Sequence, residues 1–201
     1  MNEKSYCVHN CYDLDMMRAL AEKEAVPYTD GAINIFTAAR VSPEKGILRM
    51  IPIFAQIQRQ VPEFIWRIAG GGADFDAAAN MIKQYGLTDK IILLGETENP
   101  YPYFKTADMI LVPSYHEAAP MGFGEAEFFG TPVFTTETTS AHELVGDKGI
   151  GWVCKNTDSD ITQKLTEVLN NRSSINHYES KMDNKTAAAE FDALVGKNRS
   201  L

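Results

Sequence analysis

The chain has 201 residues, 44% of them hydrophobic, and a formal net charge of -8, enough apolar material for one domain with a proper core. The acidic balance, with an isoelectric point near 5.0, argues against a nucleic-acid partner, which calls for a basic face. Its three cysteines, Cys7, Cys11 and Cys154, lack C-x-x-C spacing, and Cys7-x3-Cys11 with His9 and His116 has no second ligand pair. Neither a disulfide framework nor a zinc set is expected, and a reducing compartment fits.

In chain order, MNEKSYCVHN lacks the charged-then-apolar order of a signal peptide, and no stretch reaches the roughly 18 apolar residues of a membrane span. A soluble, cytoplasmic chain is expected. A short YCVHN run, a small amphipathic helix in DLDMMRALAEKEA and a polar turn through Pro27 and Asp30 precede the first regular unit. Apolar runs then alternate with amphipathic stretches. Strands are expected near Ile33 to Ala39, Phe64 to Ala69, Lys90 to Leu94, Met109 to Pro113, Pro132 to Thr135 and Ile150 to Val153. Several are continuous apolar runs, as in parallel strands covered on both faces. Helices are expected at Lys45 to Gln60, with Pro52 as a kink, and at Asp74 to Tyr85, Tyr101 to Lys105 and Gly124 to Phe129. Three more follow, at Ser140 to Val145, Asp158 to Asn170 and Ser174 to Leu194. Repeated βα units with right-handed crossovers predict an α/β, doubly wound, Rossmann-like parallel sheet.

The strand-to-helix turn in PSYHEAAPMGFGEAEFFGTPV carries two carboxylates, Glu117 where the strand ends and Glu125 on the helix that follows. Ligands of open α/β sheets bind outside the carboxyl ends of the strands, and backbone N–H groups from Met121 to Gly124 would face an anion there. His116 stands beside Glu117 in the same turn. Upstream, in FTAARVSPEKGILRM, Arg40 closes a strand and Lys45 opens a helix, two cations suited to a diphosphate. The plainer alternatives are a strand-end cation and a solvated helix residue, either of them paired with Glu44. AGGGADF at residues 69–75 places Phe75 where a dinucleotide fingerprint needs its third glycine, and it follows the second strand, so a nicotinamide site is not expected. The D-x-D pairs Asp13/Asp15 and Asp74/Asp76 read as helix-start residues rather than a metal set.

Taken together, Arg40-x4-Lys45-Gly46, Glu117-x7-Glu125 and Gly130-Thr131-Pro132-Val133, in that order, resemble the donor-binding half of a GT-B glycosyltransferase of family 4 (glycosyl transferases group 1). The resemblance covers roughly residues 31 to 170. It implies a C-terminal domain at residues 32–172, preceded by an interdomain connector at 1–31 and followed by a helix at 173–201 that packs on an acceptor-binding domain. It also implies transfer of a sugar from a nucleoside diphosphate sugar, with a UDP-sugar expected, to an acceptor hydroxyl with retention and without a metal or other cofactor. The context would be capsule, exopolysaccharide or lipopolysaccharide synthesis, compatible with peripheral association of the full enzyme at the inner face of a membrane. By the same resemblance Glu117, Arg40 and Lys45 are catalytic. Glu125 would hold the ribose, Thr97 would lie at the base, and Met121, Gly122, Phe123 and His116 would complete donor binding. Two departures are Ala118 in place of a common glycine, and Gly122 and Gly124 where larger residues are frequent. The alternatives are a nucleotide-sugar binding module without turnover and a sugar-nucleotide epimerase on the same fold.

Overall fold

The computed structural model describes residues 10–198, so Cys7 and His9 lie outside it. Six parallel strands form one sheet in the order β3-β2-β1-β4-β5-β6. They are β1 (Ile33–Ala38), β2 (Phe64–Ala69), β3 (Ile91–Gly95), β4 (Met109–Val112), β5 (Val133–Thr136) and β6 (Gly151–Cys154). Each matches an apolar run of the sequence to within two residues. β1 and β2 are buried along almost their whole length, which is why their residues do not alternate apolar with polar.

Helices cover both faces. On one, α2 (Ile47–Ile57), α3 (Phe75–Gln84) and α6 (Asp158–Asn170) pack over Trp66, Ile35, Leu111 and Phe134. On the other, α4 (Tyr101–Thr106), α5 (Met121–Phe129) and a π-helical turn at His142–Gly146 pack over Phe36, Ile110 and Val133. α1 (Leu14–Ala21) lies outside α4 and α5, its Arg18 guanidinium 5.3 Å from the Phe128 ring centre. Its N-cap is Asp13, which accepts the Met16 N–H at 2.9 Å, and Asp15 pairs with Arg18, so this D-x-D serves the helix. Asp74 occupies the N-cap position of α3 without a side-chain cap bond. No helix among the described residues is long and apolar enough to cross a membrane.

The helix expected at Ser140 to Val145 is the π-helical turn at His142–Gly146, and three other helices depart from expectation. The first turn expected of α2 is instead a 3-10 turn at Pro43–Lys45, closed by Gly46 at φ 67°. Pro52 does lie inside α2, and the helix continues past it because Met50, Ile51, Ile53 and Phe54 are buried. α5 starts at Met121, three residues before the expected Gly124, because Pro120 sets an extended approach and Phe123 is drawn into the core. The single helix expected over Ser174 to Leu194 is a 3-10 turn at Arg172–Ser174, a non-helical run and then α7 (Lys185–Asn198). The run is held by tertiary bonds: Tyr178 N–H donates to Gly130 O at 2.9 Å, and His177 Nε2 lies 2.8 Å from Ala107 O.

The centre of the sheet is tied across three strands by one buried relay. Trp66 Nε1 on β2 donates to Thr37 Oγ1 on β1 at 2.9 Å, and Thr37 Oγ1 donates to Leu111 O on β4 at 2.6 Å. Thr37→Val keeps the shape and strands the indole N–H in the core. We expect a loss of about 2 kcal/mol, read as a lower urea midpoint with unchanged slope. An unchanged midpoint would mean that the relay contributes nothing to stability.

Candidate functional site

The strand order reverses direction between β1 and β4. α2 leaves β1 toward one face of the sheet and α5 leaves β4 toward the other, opening a crevice at their carboxyl ends. Two loops line it and are fastened to each other. Tyr115 N–H donates to Glu44 O at 2.8 Å, and Arg49 Nη2 donates to Pro113 O at 2.8 Å. A Cβ at Gly46 would stand 2.2 Å from Pro113 O, so only glycine permits this approach. On the other side, Val41 N–H donates to Gly71 O at 2.8 Å, and Cβ atoms at Gly70 and Gly72 would collide with the carbonyls of Ala39 and Val41. The AGGG run thus serves close backbone packing.

Lys45 and Glu117 meet across the crevice. Nζ lies 2.5 Å from Oε1, with side chains only 21% and 11% exposed. Ser114 Oγ donates to the same Oε1 at 2.8 Å, so Glu117 Oε2 takes neither bond. Arg40 does not join them: it is largely exposed and pairs with Glu44 at 3.0 Å, the plainer arrangement weighed from the sequence. Ser42 Oγ also donates to Glu44, and this bond, followed by the backbone and the nearby cations, lowers the pKa of the Glu44 carboxyl. Exposed His116 and Glu117 line a cleft of about 630 Å³ with Glu137, Thr138 and Thr139. Glu137 lies 3.0 Å from His142 Nε2 at its rim.

α5 begins beside this cleft. Met121 and Gly122 carry its first N–H groups, which have no acceptor within the helix. Phe123 also lies in this turn, but its ring is buried in the core and its N–H donates to Pro120 O at 3.2 Å. Glu125 sits one turn on. Burial pushes its carboxyl up to about 7, and its charge raises the pKa of the hydroxyls of Tyr12 and Tyr101, each already raised by burial. Thr97 follows β3, its hydroxyl 3.4 Å from Gly95 O.

Several residues at the site carry no motif. Arg49 is 8% exposed, packed 4.0 Å from the Tyr115 ring centre, with Nε and Nη1 lacking hydrogen bonds. Its ring contact and its bond to Pro113 hold the end of β4 in place. Asn156 Nδ2, after β6, reaches Tyr115 O at 3.0 Å. Asn10 and Tyr12 lie over the start of α5, donating to Ala119 O and Met121 O at 3.3 Å each. The Tyr12 ring stands 2.3 Å from where a Cβ at Gly124 would be, which explains the small residue there. Tyr12 also exchanges two bonds with Asn184, N–H to Oδ1 at 3.1 Å and Nδ2 to O at 2.6 Å. Among these positions the sequence marks only the glycines.

A parallel sheet of this order with its crevice at the β1/β4 boundary defines a doubly wound, Rossmann-like domain of the kind from which GT-B glycosyltransferases are built. The model of the glycosyl transferases group 1 family matches residues 21–188, and the chain belongs to that family. WcaL of Escherichia coli (strain K12), a putative colanic acid biosynthesis glycosyltransferase, is 28% identical over 154 residues, which are 73% of this chain and 37% of the relative. Among solved structures, HepE of Anabaena in complex with UDP superposes with a TM-score of 0.66 at 18% identity, over 96% of this chain and 57% of that one. The C-terminal domain of LpcC from Francisella tularensis, a glycosyl transferase group 1 family protein, gives 0.62 at 20% identity, over 84% and 87%. The chain spans 17%, 40% and 37% of the length of three curated relatives it matches.

The environment of Glu125 makes stability depend on pH. In the folded chain its carboxyl keeps a proton up to about 7, whereas an unfolded carboxyl releases it near 4.5. Between these values the folded state binds more protons, so this contribution is full below the lower value and is lost as pH rises through the upper one. Glu125→Gln, which needs no ionisation, should gain about 2 kcal/mol over the parent at pH 8 relative to pH 5. Chemical unfolding at both pH values measures this. Parallel pH profiles would mean that Glu125 is solvated.

Proposed function

We propose that this chain is the donor-binding, C-terminal part of a GT-B glycosyltransferase of family 4. It takes a nucleoside diphosphate sugar, a UDP-sugar by preference, and passes the sugar to an acceptor hydroxyl with retention of configuration. The observation that carries this reading is the Lys45–Glu117 pair at the switch point, beside the first N–H groups of α5. A diphosphate suits the cation and the helix N-terminus together. A sugar attached to it would bring its hydroxyls to Glu117 Oε2. Arg40, largely exposed and held to Glu44 by a surface pair worth little, can turn to the phosphates at small cost. Glu125 is largely desolvated, and ribose hydroxyls are suitable donors to it. Thr97 and the end of β3 would lie at the base, and His116 near the sugar.

As the glycosidic bond breaks, negative charge grows on the leaving diphosphate. Lys45, Arg40 and the N–H groups of Met121 and Gly122 stabilise it without a metal. Glu117 orients the sugar. The acceptor hydroxyl attacks from the face the diphosphate leaves and passes its proton to a diphosphate oxygen, which keeps the configuration. UDP bound to HepE and the colanic acid role named for WcaL support a UDP-sugar donor and a place in bacterial polysaccharide or lipopolysaccharide synthesis. The likeness to the LpcC C-terminal domain supports the reading as a C-terminal domain, within which we take residues 1–31 as connector, 32–172 as the donor-binding domain and 173–201 as a tail that packs on an acceptor-binding domain. We place the full enzyme in the cytoplasm, a location compatible with peripheral association at the inner face of a membrane. This length of chain alone would bind the donor with little turnover.

Calorimetric titration with UDP, GDP and ADP tests the reading. One nucleotide should bind selectively, with affinity reduced about tenfold or more in Glu125→Ala and in Lys45→Met. Binding of all three with equal strength, unaffected by either substitution, would remove the assignment.

A further inference from the structure

We propose that the Lys45–Glu117 pair makes the site favour the sugar-bearing donor over the free nucleoside diphosphate that transfer leaves behind. The inference rests on the placement of the diphosphate at Lys45 and of the sugar at Glu117 proposed above.

Glu117 Oε1 is held by Lys45 Nζ at 2.5 Å and by Ser114 Oγ at 2.8 Å. The Lys45 and Glu117 side chains are only 21% and 11% exposed. When a phosphate arrives at Lys45, Ser114 Oγ still holds the carboxylate in place. Its position is fixed further by the β4 end, which Arg49 grips through Pro113 O at 2.8 Å and Asn156 through Tyr115 O at 3.0 Å.

The two ligands meet this fixed anion differently. In a nucleotide sugar the terminal phosphate is esterified to the sugar and carries one negative charge, and the sugar interposes hydroxyl donors between it and Glu117. In the free diphosphate the terminal phosphate carries up to two charges at neutral pH and has no donors to offer. It competes with Glu117 for the same ammonium and faces a carboxylate it cannot satisfy. Little water is at hand to screen the repulsion, because both side chains are largely buried. The pair thus acts as a repulsive element against the product while remaining an acceptor for the donor. The consequence is weak product inhibition and release of the nucleotide once the sugar has gone.

Removing the charge tests this. For the full chain and its Glu117→Gln and Glu117→Ala variants, affinities are measured for UDP, GDP and ADP, each beside a hexose conjugate: UDP-glucose, GDP-mannose and ADP-glucose. For the nucleotide that binds, both substitutions should tighten the free diphosphate by about tenfold and leave the conjugate equal or weaker, so that the preference shifts toward the product. The two variants guard against an effect of the new amide, and thermal melting verifies that each is folded. Unchanged or weakened diphosphate binding in folded variants, with Lys45→Met still losing affinity, would overturn this inference and leave the donor site standing. A parent chain that binds no nucleotide, or a Lys45→Met variant that binds as the parent does, would overturn both.

Discussion

The ligand end of this sheet depends on how closely the loop after β1 lies against the end of β4. These strands are neighbours whose helices leave toward opposite faces, so nothing but the loops themselves fills the space between them. Gly46 allows backbone to touch backbone at Pro113, the Glu44–Tyr115 bond fixes the register of the two loops, and Arg49 braces the underside. Only with this spacing can a lysine after β1 reach a glutamate after β4. Had the first loop needed room for a Cβ, Lys45 and Glu117 would stand as two separate solvated charges.

That fastening has an electrostatic counterpart. The ligand end of the sheet and the start of α5 hold Lys45, Glu117, Arg49 and Glu125 in places with limited access to water, and each is accommodated differently. Lys45 and Glu117 neutralise one another, Arg49 rests on an aromatic ring, and Glu125 holds its proton toward neutral pH. A region that tolerates so much polar chemistry out of water sacrifices some stability for it, whereas the relay from Trp66 through Thr37 to Leu111 is fully satisfied and lies deeper in the sheet. Stability and chemistry thus occupy different levels of the same strands.

Much of the fold was legible because parallel strands buried on both faces are unbroken apolar runs, and turns between them are marked by glycine and proline. The errors have local physical causes. From the sequence the helix is expected to begin only at Gly124, and it takes the Tyr12 ring lying over that residue to show why a glycine belongs inside α5 there. The tail from residue 175 has apolar spacing suited to a helix, but Tyr178 gains more by bonding to Gly130, a partner distant in sequence. At the site, charged residues at loop positions could be picked out, but not their pairing: that Arg40 finds Glu44 while Lys45 finds Glu117 follows from the path of the 3-10 turn. Arg49 and Asn156 escaped notice because they act on backbone carbonyls, which every residue has and no pattern reveals.

The reciprocal bonds between Tyr12 and Asn184 have a mechanical meaning. They bring two stretches far apart in sequence together at one place, over the first turn of α5. Force applied to either stretch is therefore shared with the other through this one clasp. Because that clasp rests on the helix start beside the crevice, a displacement of either stretch would be felt at the crevice mouth rather than in the sheet.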